Sequence, residues 1–238
     1  MKYLGSKNRI AKHILPIILK DRKEGQWYVE PFCGGCNSLD KVTGNRVGCD
    51  VNEYLIALFN ALSKGWLPPD VISEEEYIRI KNNKDENKAL TGFVGFAFSF
   101  GGKWFGGYRR DVAGTSENVE LKIENESTQS RRSYSDICKQ ADNLQGVKFL
   151  HKSYSDLKLN QPCIIYCDPP YAGSTGYKDK FNHVEFWEWC RHMKKEGHTI
   201  FISEYNAPED FTCVWTGEQT TTVSRGEGKR AIEKLFTL

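Results

Sequence analysis

Cys163-Ile164-Ile165-Tyr166-Cys167-Asp168-Pro169-Pro170-Tyr171 is an apolar, β-prone run that delivers a carboxylate, two prolines and an aromatic ring to the end of a predicted strand. Asp168 can accept a hydrogen bond from an amino group. The two prolines fix φ and carry no N–H, which leaves carbonyls near the turn free to accept a second one. Tyr171 offers a face on which a flat ring can stack. A base with an exocyclic amine would use all of these groups. An ordinary strand end closed by a Pro-Pro turn has the same composition, so the tetrapeptide alone leaves both readings open.

Working outward, helices and strands alternate. Val147–Leu150 is a predicted strand before this run. Glu185–Glu196 is a predicted helix after it, His198–Ser203 a strand, and Phe211–Trp215 and Ala231–Leu238 two closing strands. In the N-terminal part, Ile10, Ile14, Ile17 and Ile18 fall at helical spacing within Ser6–Lys20, with Ser6 as N-cap and Pro16 as a break signal. Gln26–Glu30 reads as a strand stopped by Pro31 and the Gly34-Gly35 turn, and Arg46–Cys49 as a strand ending at Asp50. A helix follows, with Leu55, Leu58, Phe59 and Leu62 on one face. This alternation predicts an α/β fold with a mostly parallel sheet covered on both faces.

The middle third differs. Pro68-Pro69 punctuates it, Glu74-Glu75-Glu76 opens a polar helix-like segment, and Gly92–Arg110 interleaves aromatics, glycines and basic residues. Asp111–Gln129 is expected to be a long polar loop or hairpin, with order returning near Val147. Residues 1–65 and 149–238 are therefore expected to form one domain, and 66–148 a subdomain inserted into it.

Bulk properties narrow the class. A chain of 238 residues with 39% hydrophobic and 27% charged content describes a globular protein with one large domain. No apolar run approaches the roughly 20 residues that span a bilayer. Asn8, Arg9, Lys12 and His13 interrupt the apolar core a secretion signal needs, so cytoplasmic residence and reduced thiols are expected for the eight cysteines. Cys33-Gly34-Gly35-Cys36 has the spacing of half a zinc site but no second pair, and His183, His192 and His198 form no ligand pattern, so no metal is expected. A net charge of +2 neither demonstrates nor excludes a nucleic-acid partner.

Glu30-Pro31-Phe32-Cys33-Gly34-Gly35 lies at the first strand-to-loop junction, where open α/β sheets bind nucleotide-like ligands and glycines admit close backbone approach. The Gly-x-Gly-x-x-Gly fingerprint is absent, which argues against a nicotinamide or flavin enzyme. Asp50 ends the next strand, where an acid commonly binds ribose hydroxyls; it would equally serve as an N-cap. Together these features point to an adenosine-containing cofactor.

Tyr3-Leu4-Gly5-Ser6-Lys7, Glu30–Gly35, Asp50 and Asp168–Tyr171 occur in the order seen in the Dam-type (D12 class) DNA adenine methyltransferases, which this chain resembles. Val223-Ser224-Arg225 with Glu233-Lys234-Leu235 is similar to that family's ending. The resemblance implies a Rossmann-like methyltransferase fold with an inserted DNA-recognition subdomain, and S-adenosylmethionine lying across the strand ends. It implies that Tyr3 packs on the cofactor, Lys7 holds its carboxylate, Asp50 binds its ribose, and Phe32 and Gly34 line the pocket. Asp168 would sit beside both cofactor and base, accepting one amine hydrogen while the Pro169 carbonyl accepts the other. The target adenine in double-stranded DNA would be flipped out and stacked on Tyr171.

Lys103, Arg109, Arg110, Arg131 and Arg132 are the candidates for contact with phosphates or base edges, and Trp104, Phe105 and Tyr108 either pack the scaffold or wedge into the duplex. Cys36 stands where the family has its last glycine, and its Cβ and sulfur are expected to tighten the pocket. The same motif type also serves cytosine-N4 methylation, and a catalytically silent DNA-binding homologue is the rival from another class. A monomer is expected, and a cognate restriction endonuclease is compatible with the family.

Overall fold

The computed structural model describes residues 1–109, 119–172, 181–220 and 230–238; within these, only the backbone is described for 119–130, 219–220 and 230–231. The strands are β1 (Tyr28–Glu30), β2 (Arg46–Asp50), β3 (Lys148–His151), β4 (Ile164–Cys167), β5 (Thr199–Glu204), β6 (Thr212–Thr220) and β7 (Arg230–Thr237). The helices are α1 (Ala11–Ile18), α2 (Glu53–Leu62), α3 (Glu74–Asn82), α4 (Lys88–Ala97), α5 (Val119–Asn143) and α6 (His183–Lys195).

One sheet runs β3-β2-β1-β4-β5-β7-β6. The first five of these strands are mutually parallel, and β7 is antiparallel to both of its neighbours. Alternate residues of each central strand face opposite sides. Tyr28, Ile164, Tyr166 and Phe201 join the core under α1, α2 and α4, whereas Val29, Ile165, Cys167, Ile200 and Ile202 join the core under α6. Both faces are thus covered, as the alternation of elements predicts. The strand order reverses between β1 and β4, which places the C-terminal ends of these two strands side by side at the switch point of the sheet.

Three expectations change. Ser6–Lys20 divides into a 3-10 turn, Lys7–Arg9, and α1, with the Ser6 hydroxyl accepting the N–H of Asn8. Pro16 lies inside α1 and the helix continues only to Ile18. Residues 119–129 are helical rather than a loop, and order returns well before Val147. No glycine or proline interrupts the chain from Val119 to Asn143, and Ile137, Gln140, Ala141 and Leu144 recur at helical spacing on a buried face. The remainder of the expected loop, up to residue 118, lies outside the described residues, as do Arg110 and Val223–Arg225.

The aromatic–glycine stretch contains α4, capped by the Asn87 side chain, which accepts the Leu90 N–H at 3.1 Å. Its glycines serve packing. A Cβ on Gly92 would collide with the carbonyl of Tyr54 on α2, so only glycine lets the two helices approach this closely. Ile72, Tyr77, Phe93, Phe96, Phe98 and Ile137, all from residues 66–148, share one core with Ile14, Leu39 and Leu58. The middle segment is therefore built onto the sheet's helical layer. Among the described residues, no helix is long and apolar enough to cross a membrane.

Candidate active site

Three strand ends and the N-terminal segment meet at the switch point. After β1, the Glu30–Cys36 loop turns back so that the Gly34 N–H donates to Asp50 Oδ2 at 3.0 Å at the end of β2. Asp50 Oδ1 accepts the Asn52 N–H at 2.8 Å. Asn52, not Asp50, caps α2, accepting the N–H groups of Tyr54 and Leu55. Burial raises the Asp50 pKa, and the amides of Asn52, Gly34 and Val51 partly offset it. A carboxylate has about four acceptor positions, and these three N–H groups leave about one of them.

Tyr3 lies across the glycine turn. A Cβ added to Gly35 would fall 2.6 Å from the Tyr3 Cβ, and the Tyr3 ring meets the Phe96 ring of α4 at 5.1 Å. Phe32 points to the other side, where Tyr154, Phe181 and Phe186 surround it with centroids 5.3–5.8 Å away.

Asp168 follows β4 directly. Lys7 Nζ lies 3.1 Å from Asp168 Oδ1, 3.5 Å from Glu233 Oε2 and 4.4 Å from the centre of the Tyr171 ring. The Tyr171 hydroxyl donates to Glu233 Oε2 at 2.6 Å, and Tyr205 meets the Tyr171 ring edge-on at 4.7 Å. Burial pushes the Asp168 carboxyl up to about 6; Lys7 opposes this, and the nearby Glu233 reinforces it. Burial pulls the Lys7 ammonium down, but Asp168 and Glu233 outweigh it and raise its pKa. Beneath them Glu30 is buried, accepts the Tyr28 hydroxyl at 2.8 Å, and is pushed up to about 8 by burial.

The structure thus places Tyr3 and Asp50 against the Gly34 turn, and Lys7, Asp168 and Tyr171 together at the adjacent strand end with Pro169 beside them, while Phe32 packs on the other side of the sheet. Lys7 faces the two acids rather than open solvent. The recognition candidates are more dispersed. Lys103, Arg131 and Arg132 are exposed and Arg109 is half-buried. The 98–109 loop touches the N-terminal motif, where Leu4 N–H donates to Gly102 O at 3.3 Å. Ser133, next to Arg132, donates to Ala97 O at the start of that loop. Phe105 is buried, Trp104 packs on Tyr54, Phe96 and Phe105, and the Tyr108 hydroxyl donates to Ile72 O, so these three rings hold the scaffold. Phe100, not among the wedge candidates, is the ring left 69% exposed.

Cys36 has φ +55°, the left-handed region that favours glycine, and its side chain is fully buried in the core rather than lining the pocket. Its cost falls on the backbone, about 1–2 kcal/mol, not on the pocket. Cys36→Ala and Cys36→Gly both delete the sulfur, but only glycine relieves the strain. In urea unfolding, the glycine variant is expected to exceed the alanine variant by about 1 kcal/mol; equal midpoints would show that the φ is unstrained.

Sequence reading missed Glu204, Tyr205 and Phe100, and gave Glu233 no role. One signal pointed to Glu204: β1 and β2 end at an acid (Glu30, Asp50), β4 is followed directly by one (Asp168), and β5 ends at another. Among the described residues, no group of three or more His, Cys, Asp or Glu side chains is placed to hold a metal ion.

Comparisons with known proteins agree with the motifs. The type II methyltransferase M.FokI of Planomicrobium okeanokoites is 23% identical over 226 residues, which cover 82% of this chain but only 32% of that protein's length. Among solved structures, that of SMU.472 complexed with SAH aligns over 97% of this chain and 52% of that one. At 13% identity and a TM-score of 0.34, it bears on nothing further. The family model for D12 class N6 adenine-specific DNA methyltransferases matches residues 3–134, more than half of the chain and inclusive of Tyr3–Lys7, Glu30–Gly35 and Asp50. With the β3-β2-β1-β4-β5-β7-β6 sheet and an acid–Pro-Pro–Tyr turn at its switch point, this chain belongs to the D12 class of N6 adenine-specific DNA methyltransferases.

Proposed function

We propose that the chain transfers a methyl group from S-adenosylmethionine to the N6 amine of an adenine flipped out of double-stranded DNA. The observation that carries this is the placement of Asp168 at the end of β4, beside the β1 glycine turn and within 3.1 Å of Lys7. An amine acceptor and an adenosine-type pocket then occupy one edge of the sheet.

The residues fit the cofactor. Asp50 retains an acceptor position for a ribose hydroxyl beyond the amides it already holds. Phe32, Gly34 and Tyr3 would line the pocket. One ammonium facing two carboxylates leaves an excess of negative charge, which complements a sulfonium. When bound, S-adenosylmethionine supplies an electrophilic methyl on cationic sulfur.

The adenine amine is a weak nucleophile because its lone pair is delocalised into the ring. Accepting its two hydrogens on the Asp168 carboxylate and the Pro169 carbonyl localises that lone pair on nitrogen. The amine must also lose a proton. With its carboxyl pushed up to about 6 and its side chain 23% exposed, Asp168 can take that proton on a carboxylate oxygen and pass it to water. A flipped base would stack on Tyr171, returning roughly 1–3 kcal/mol.

On this reading Lys103, Arg109, Arg131 and Arg132 engage phosphates or base edges, and residues 66–148 read the target sequence. The exposed Phe100 stands beside them and next to the Tyr3–Lys7 motif. Work on cellular DNA would place the chain in the cytoplasm. It would act as a monomer on one strand at a time, alone or beside a cognate restriction endonuclease.

Incubation with S-adenosylmethionine and genomic DNA, followed by sequencing sensitive to methylated bases, tests the proposal. The expected result is N6-methyladenine in one short sequence context. N4-methylcytosine, or DNA left unmodified by protein that binds it, would overturn the assignment.

A further inference from the structure

Glu204 closes β5, the strand paired with β4, and is 1% exposed. It touches none of the groups given a chemical role above. Its Oε1 accepts the N–H of Ala172 at 2.7 Å, its Oε2 accepts the N–H of Tyr205, and His183 Nδ1 lies 4.0 Å from Oε1. Ala172 immediately follows Tyr171, and the Tyr205 ring meets the Tyr171 ring edge-on. The Asp168–Ala172 turn is thus tied at three points: Lys7 on Asp168, Glu233 on the Tyr171 hydroxyl, and Glu204 on the Ala172 backbone.

A buried carboxylate is costly to the fold, and an apolar residue of similar size often folds as well or better. At this position the cost is offset by charge-assisted bonds to two backbone amides, one of them at the end of the catalytic turn. Prolines cannot supply an N–H to fasten this turn from within, so the first N–H after Tyr171 is a natural point for an external anchor.

We propose that Glu204 is a positioning residue: its carboxylate pins the Ala172 backbone and so holds Asp168, the Pro169 carbonyl and Tyr171 in register with the substrate amine. This rests on the methyl-transfer reading above.

The test uses the full chain with Glu204→Leu and Glu204→Gln. Hydrogen exchange of the peptide containing Ala172, cofactor affinity by calorimetry, and single-turnover methylation of DNA are measured in parallel. Glu204→Leu is expected to speed exchange at Ala172 by about tenfold and to slow methylation by about 100-fold, the scale of a roughly 1 Å misplacement, with cofactor Kd held within about threefold. Glu204→Gln keeps an oxygen acceptor for the Ala172 N–H and is expected to restore methylation to within about tenfold of wild type.

A Leu variant within about threefold of wild type in rate, a Gln variant as slow as Leu, or a cofactor Kd weakened in step with the rate would each overturn the proposal. Should Glu204→Leu fail to fold, Glu204→Met takes its place, with the same expected and overturning outcomes. Wild-type protein that methylates no DNA would instead overturn the methyl-transfer reading, and the exchange measurement would still decide whether Glu204 anchors Ala172.

Discussion

Asp168→Asn is expected to reduce single-turnover methylation by about 10³-fold, while cofactor affinity stays within a fewfold and the melting temperature does not fall. The amide presents an N–H₂ group or a weak neutral oxygen where the amine requires a charged acceptor, so both lone-pair localisation and proton uptake are lost. Stability should move the other way. Burial holds the Asp168 carboxyl up at about 6 against a usual 3.8, a penalty on ionisation of roughly 3 kcal/mol. Because the folded value lies above the unfolded one, the stability this group contributes is complete below pH 4 and is lost as pH rises through about 6. At neutral pH the wild type therefore carries the cost and the Asn variant does not. The same shift sets the acid limb of the wild-type rate profile: methylation should decline as pH falls through about 6. A variant methylating within tenfold of wild type would remove Asp168 from the chemistry. A steep drop in melting temperature would mean that its ion pair with Lys7 supports the fold.

Lys7→Met should shift the pH profile rather than only weaken cofactor binding. Lys7 is the cation beside Asp168 and Glu233, and it opposes the rise that burial imposes on Asp168. Without it, the acid limb is expected to move up by about 1–3 pH units, the usual influence of an opposite charge at this range. At pH 7 the rate should fall by about twofold for a one-unit shift and about 100-fold for three units, with recovery as pH rises toward 9. If Lys7 acted only by holding the cofactor's carboxylate, the KM for S-adenosylmethionine would rise at every pH and the limb would stay in place. A rate profile measured at saturating cofactor separates the two.

Much of the scaffold was legible because the signals were local. Cys163–Cys167 is uniformly apolar and ends at a Pro-Pro turn, so it reads as a buried parallel strand without reference to its neighbours. The Leu55, Leu58, Phe59 and Leu62 face identified α2 by spacing alone. Elements left unassigned or misread fell where tertiary packing overrides composition. In α4, Gly92 and Gly95 argue against a helix on propensity, and only the closeness of Tyr54 and Trp104 explains why glycine is required there. In α5, residues 119–129 are polar enough to read as loop, and the helix becomes plausible only once its second half is seen burying Ile137 and Ala141.

By itself the sequence determined the strand–helix alternation, the motifs at the strand ends, and hence the family. These depend on residue types at fixed local spacing. Only the tertiary structure decided which charges meet: Lys7 sits between Asp168 and Glu233, residues 7, 168 and 233 of one chain. It also decided that Cys36 burdens the backbone rather than the pocket, that Phe100 rather than Trp104 or Phe105 is exposed, and that Glu204 accepts the Ala172 N–H. Electrostatic and hydrogen-bond partners are set by distances of 3–4 Å between segments remote in the chain, and those distances exist only once the sheet has brought its strand ends together.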